Sequence, residues 1–217
     1  MTKKIAYTEA DLVELLNLTR VTGTQIPEMK RWLTVQPPVL DIGEKATFER
    51  ILDLAVRDIS IWGEEELKMI FISHILPLGH IESNNRYKTF YEKTVTGVVD
   101  GVTLTAKTDF MLATAILNKH KKPYFHFQEY KPSRNPTGDS MAQLLEAMLI
   151  AQEKNKNGKP IYGVEIIGAD WRFVVLKDKT YCISEPFISI KKDGLLSIIA
   201  ILRHFKHILE TELLDDI

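Results

Sequence analysis

The sequence predicts an α/β protein in which helices flank a mixed central sheet. Three observations carry that reading. Two runs rich in apolar and β-branched residues, Val102 to Ala113 and Pro123 to Tyr130, are separated by a polar turn, Asn118 to Lys122, which is a hairpin signature. A helical run follows, Asp139 to Lys154, and after it two more strand-like runs, Ile161 to Ile167 and Trp171 to Leu176. A strand that returns after a helix joins its sheet by a crossover and pairs parallel with a neighbour.

In chain order, Thr8 to Leu18 reads as a helix with Thr8 as N-cap, Asp11 as the acidic third residue, and Leu12, Val13, Leu15 and Leu16 as its apolar stripe. Pro27 to Leu33 forms a short helix that Pro37-Pro38 ends, and Lys45 to Ile59 a longer one with Phe48, Ile51, Leu52, Leu54 and Ala55 inward. Residues 1–60 are therefore expected to be an N-terminal helical extension packed on a core of residues 61–217. Gly63 to Leu78 is a stronger helix, because Leu67, Ile70, Phe71, Ile75 and Leu78 repeat at helical spacing.

Tyr91 to Val99 reads as the first strand of the core, and Asp100-Gly101 as the tight turn into the second. Past Lys131, a turn-rich loop, Pro132 to Gly138, leads into the helix whose stripe is Met141, Leu144, Leu145, Met148 and Leu149. Gln152 is expected at the edge of that stripe. Trp171, Phe173 and Val175 share one strand face by the period of two, where packing against the sheet is favoured over stacking on bases. Tyr181 to Ile183 can add one short strand. In the last helix, Leu195 to Leu213, the residues Leu195, Ile198, Leu202, Phe205 and Leu209 alternate spacings of three and four. That pattern suits either a homodimer seam or packing on the chain's own sheet. His204 and His207 lack a third ligand and read as surface residues.

Composition narrows the function classes. A chain of 217 residues that is 45% hydrophobic can bury a full core. The one cysteine, Cys182, excludes an intrachain disulfide and reads as a buried strand residue. The N-terminus lacks a signal-like apolar run, and no apolar stretch is long enough to span a bilayer, so a cytoplasmic protein without a membrane partner is expected. The net charge of −1 gives no global basic field for nucleic acid. No G-x-S-x-G elbow, glycine-rich phosphate loop or H-E-x-x-H motif occurs.

Chemistry concentrates in the hairpin. With antiparallel pairing about a turn near Lys119, Asp109 faces Glu129, and Lys131 falls on the same side of its strand as Glu129. Opposed carboxylates destabilise a sheet unless something neutralises them, and a hard divalent cation with oxygen ligands does so. The register decides this, since a slip of one residue sends a carboxylate to the other face. Glu-x-Lys also occurs at Glu28 and Glu66, but in helical segments where it reads as a solvated face.

Asp109, followed after nineteen residues by Glu129-Tyr130-Lys131 on apolar strands with a helix afterwards, resembles the PD-(D/E)XK nuclease superfamily. The resemblance spans about residues 60 to 185, with Thr108 where the family name has proline. It implies a restriction-endonuclease-like αβββαβ core and metal-dependent hydrolysis of phosphodiester bonds in nucleic acid, DNA foremost. It further implies that Asp109, Glu129 and the backbone carbonyl of Tyr130 bind Mg²⁺ or Mn²⁺. Lys131 would then position the attacking water. Glu64, on the preceding helix, is the matching extra metal ligand, and Gln143 matches a glutamine that contacts the site or the nucleic acid. The alternatives are a catalytically inactive domain of the same fold that binds nucleic acid or protein, and an oligomerisation module in which Lys131 merely pairs with the carboxylates.

Overall fold

A computed structural model describes residues 6–134 and 136–214. Asn135, in the expected loop after Lys131, and both extreme ends of the chain lie outside the described residues. The chain opens with α1 (Glu9–Leu16), whose N-cap Thr8 and Asp11 form a reciprocal capping box. Next come β1 (Thr19–Thr22), α2 (Pro27–Leu33) and α3 (Ile42–Asp58). The short strand β1 was not expected. It pairs parallel with β7 (Thr180–Ile183), so the stretch before residue 60 contributes an edge strand to the sheet as well as helices.

Residues 64–78 form one continuous helix made of α4 (Glu64–Glu66), a π-helical segment (Leu67–Ile72) and α5 (Ser73–Leu78). Three long strands follow: β2 (Lys88–Val99), β3 (Val102–Ile116) and β4 (Lys119–Lys131), successively antiparallel. The helix α6 (Ser140–Asn155) then crosses over to β5 (Ile161–Ile167), which pairs parallel with β4, as the sequence predicts. β6 (Asp170–Lys177), β7 and the two-residue β8 (Phe187–Ile188) complete a mixed 8-stranded sheet in the order β1-β7-β6-β5-β4-β3-β2, with β8 on β6. The chain ends on α7 (Lys192–Ile208), extended by a π-helical turn, Leu209–Leu213.

Helices cover both faces of the sheet. On one face, Trp32, Phe48, Phe71, Ile75 and the α7 stripe pack against Tyr162, Val164, Phe173 and Val175. On the other, Leu12 and Leu16 of α1 and the stripe of α6 pack against Leu104, Met111, Phe127 and Val174. Trp171 and Phe173 are fully buried, so they pack the sheet and offer no surface to a base. Leu195, Ile198, Leu202, Phe205 and Leu209 are likewise fully buried within the chain's own core. His204 is only partly exposed and bonds through Nδ1 to the Trp32 carbonyl (3.0 Å). No helix among the described residues is long and apolar enough to cross a membrane.

Close packing of α6 on the sheet depends on Gly163. A Cβ there would stand 2.8 Å from Met148 Sδ and 3.1 Å from Leu144 Cδ1, so a larger residue on β5 would force those two side chains to repack. That contact sets α6 against the parallel pair β4 and β5, with its first turn beside their C-terminal ends.

Candidate functional site

The site is built where the sheet forks. Pairing between β3 and β4 stops at Phe110↔Gln128, while β3 stays paired with β2, and β4 stays paired with β5 as far as Lys131↔Ile167. Asp109 is the first β3 residue past the fork. Its carboxylate accepts a hydrogen bond from the Tyr130 backbone N–H (Oδ2, 2.7 Å), a donor left without a ladder partner on the side where the two strands part. Ligand sites in open α/β sheets commonly lie beyond the carboxyl ends of strands, and β4 and β5 both end here.

The expected register holds at the site, though for a different reason. The turn lies at Leu117-Asn118, with Ile116 opposite Lys119, whereas a turn centred on Lys119 would put Ile116 opposite Lys122, three positions further along β4. Register shifts between Leu112 and Thr114 absorb the difference and restore Phe110↔Gln128. The continuation of that register sets Asp109 across from Glu129.

Asp109, Glu129 and Lys131 are all buried. Lys131 Nζ donates to Glu129 Oε1 (2.9 Å). Burial pushes the Glu129 carboxyl up to about 7, reinforced by the nearby charge of Asp109 and opposed by Lys131. Burial also raises the Asp109 carboxyl, against the pull of Lys68 and the Tyr130 N–H. Both carboxylates thus sit in surroundings that penalise their charge.

Lys68 is the residue the sequence reading missed. The Glu66-x-Lys68 tripeptide was expected on a solvated face, yet the Lys68 side chain is only 15% exposed. Its ammonium lies 2.8 Å from Asp109 Oδ1, 2.7 Å from Glu64 Oε1 and 2.8 Å from Glu92 Oε1. Burial works against its charge, but the carboxylates of Asp109, Glu64 and Glu92 outweigh it and raise its pKa far above the usual lysine range. Glu92, which also pairs with Lys107, is held down at about 2: burial opposes its charge, but Lys107 and Lys68 overcome it. Its backbone adopts a left-handed φ of 52° in the middle of β2, between the pairs Tyr91↔Phe110 and Lys93↔Thr108. Such a conformation costs a non-glycine residue about 1–3 kcal/mol and tends to persist at functional positions.

Glu64 joins the cluster through Lys68, and its charge acts on both Asp109 and Glu129. Gln143, half-buried in the first turns of α6, lies against Gly138 in the loop after Lys131. None of the hydrogen bonds among the described residues joins its side chain to Asp109, Glu129 or Lys131.

A third carboxylate continues the row across the sheet. Glu165 on β5 is the register partner of Glu129 and is equally buried. Ser140, the first residue of α6, donates its hydroxyl to Glu165 Oε1 (2.5 Å), and Arg172 on β6 contacts Glu165 Oε2 (3.2 Å). Glu165 and Arg172 line a polar cleft of about 410 Å³ that also takes in Arg20 and Ser184.

Among the described residues, no group of three or more His, Cys, Asp or Glu side chains is placed to hold a metal ion. Magnesium does not need one, because it keeps several waters and is commonly bound by one or two carboxylates plus substrate phosphates. Asp109, Glu129 and the Tyr130 carbonyl would supply an all-oxygen donor set of that kind, in surroundings where burial raises both carboxyls despite the ammonium beside each. The donor set therefore fits a hard divalent cation, which would have to displace Lys68 from Asp109. No family model matches this chain, and no curated protein compared with it matches.

Proposed function

We propose that this chain is a metal-dependent nuclease of the restriction-endonuclease-like kind, acting on phosphodiester bonds of nucleic acid, DNA foremost, in the cytoplasm. The observation that carries the reading is the meeting of Asp109, Glu129 and Lys131 at the fork of β3 and β4. They arrive within a run of helix, three antiparallel strands, crossover helix and parallel strand. Asp109, Glu129 and the Tyr130 carbonyl would hold Mg²⁺ or Mn²⁺. When bound, the cation supplies Lewis acidity toward the scissile phosphate. Lys131, fixed by its bond to Glu129, orients the attacking water and offsets the charge that develops on the phosphoryl oxygens.

One specific observation favours a second reading. Both carboxylates already carry an ammonium partner, Lys68 on Asp109 and Lys131 on Glu129, as a catalytically inactive binding module would need. Cleavage assays separate the two. The nuclease reading expects Mn²⁺- or Mg²⁺-dependent cutting of single-stranded or duplex DNA or RNA. It also expects losses of about a hundredfold or more in Asp109→Asn and Lys131→Met proteins that still fold. Full activity in either variant would refute it.

A further inference from the structure

A cleft of about 510 Å³ opens directly from the fork. One wall is the helix of residues 64–78, which contributes Lys68, Met69, Ile72 and Leu76. The opposite wall is formed by Tyr91, Asp109 and Tyr130, and Ser83 and Thr89 stand among the polar lining groups. Its size is that of a small-molecule pocket, and its make-up is that of one too: chiefly apolar walls with a few polar groups.

We propose that this cleft receives an unstacked nucleobase of a single-stranded nucleic acid whose phosphodiester lies at Asp109. The inference rests on the nuclease reading and names its substrate class. Tyr91 is the first support. Its ring is 55% exposed yet fixed edge-on against the buried Phe110, 5.5 Å away, which makes a pre-set surface for stacking. Met69, 69% exposed, offers a second apolar surface at the cleft.

Charge is the second support. The carboxylates of Glu65, Glu82, Glu92 and Asp109 line the cleft, and Lys68 is the single basic side chain beside them. A phosphate can approach Asp109 only across the proposed cation and is repelled from the rest of this space, whereas a neutral base is not, and its amino groups find acceptors at Glu65, Glu82 and Glu92. The hydroxyls of Ser83 and Thr89, 3.0 Å apart, can exchange donor and acceptor roles with a base edge.

The third support is the helix itself, which is π-helical at Lys68, Met69 and Ile72, with the Ser73 N–H bonded back to the Lys68 carbonyl. Single π turns are rare and recur at functional sites. A base can enter only after leaving its stack, and that step is easiest in a single strand. The substrate class follows from this: single-stranded ends or unpaired segments, in preference to intact duplex.

The test uses the full chain in Ca²⁺ with an oligonucleotide carrying 2-aminopurine, either single-stranded or annealed to its complement. The proposal expects the single strand to bind at least tenfold more tightly than the duplex, with a change in 2-aminopurine fluorescence on binding. Tyr91→Ala should weaken single-strand binding about tenfold or more and abolish the fluorescence change. Met69→Glu, at an exposed position, should remove the second apolar surface and add a charge that repels the strand, with the same direction of effect while leaving the melting temperature unchanged. If both variants bind the single strand as the wild type does, or the duplex binds equally well, the base site is overturned while metal-dependent cleavage still supports the nuclease reading. If the wild type neither binds nor cuts any nucleic acid, both fall together.

Discussion

The ammonium of Lys68 lies 2.8 Å from Asp109 Oδ1 and, on its other sides, 2.7 Å from Glu64 and 2.8 Å from Glu92. One helix side chain thus bridges three carboxylates drawn from a helix and two strands. A divalent cation held by Asp109, as proposed, would have to replace it there.

Removing that ammonium should expose the repulsion it masks. In the presence of a chelator, Lys68→Met should lose about 2 kcal/mol of stability, less than a fully buried ion pair because Glu64 and Glu92 are partly exposed. The same variant should reach half-maximal stabilisation at a lower Mn²⁺ concentration than the wild type, since nothing has to leave Asp109 first. Denaturant titrations with and without Mn²⁺ check both effects. Identical midpoints for the two proteins would show that Lys68 and the cation do not share a site.

Glu165 and Arg172 should prove coupled. Arg172→Ala leaves a buried carboxylate held by the Ser140 hydroxyl without its guanidinium partner and should cost about 1–2 kcal/mol, less than a fully buried pair because Arg172 is 40% exposed. Adding Glu165→Gln removes that charge, so the double variant should be more stable than Arg172→Ala alone. Strictly additive effects in the double-mutant cycle would deny the coupling.

His126 should make the fold sensitive to acid. It is fully buried among Trp32, Phe110 and Phe205, and burial pulls its pKa down to about 3 from an ordinary 6.5. Gln128 Nε2 donates to its Nε2 (3.0 Å), and Nδ1 meets no partner among the described residues. Below pH 6.5 the unfolded chain takes up a proton that the folded chain refuses. This contribution is therefore complete above pH 6.5 and is lost as pH falls toward 3, at about 1.4 kcal/mol per pH unit. Comparing wild type with His126→Phe between pH 6 and pH 4 isolates the effect: the wild type should lose stability faster by that slope. Parallel curves would contradict it.

Much of the architecture was legible in the sequence because it rests on periodicity. The stripes of α6 and α7, the hairpin and the crossover to β5 follow from apolar spacing over long segments. β1 escaped notice because Thr19–Thr22 is four residues long and largely exposed, so its place is set by β7 and not by its own pattern. The pairing of Asp109 with Glu129 was found through a turn placed too late, which the irregular pairing around Ala113 happened to offset.

The site was half legible. A strand-borne Glu-x-Lys opposite an aspartate is visible in the chain, whereas the inward turn of Lys68 depends on how the helix of residues 64–78 docks at the fork. A Glu-x-Lys on a helix gives no hint of that. The left-handed φ of Glu92 has no sequence mark either, since neither glycine nor asparagine stands there. Glu165 carried one readable signal, an acidic residue within an otherwise apolar strand, next to the strand of Glu129.

The most direct test of the central claim is the melting temperature of wild type and Asp109→Asn across a titration of Mn²⁺, because it requires no knowledge of the substrate. A cation held by Asp109 and Glu129 stabilises the native state by mass action. The account predicts a concentration-dependent rise in the wild type that is absent or shifted to far higher Mn²⁺ in Asp109→Asn. Equal rises in the two proteins, or none in the wild type, would contradict it.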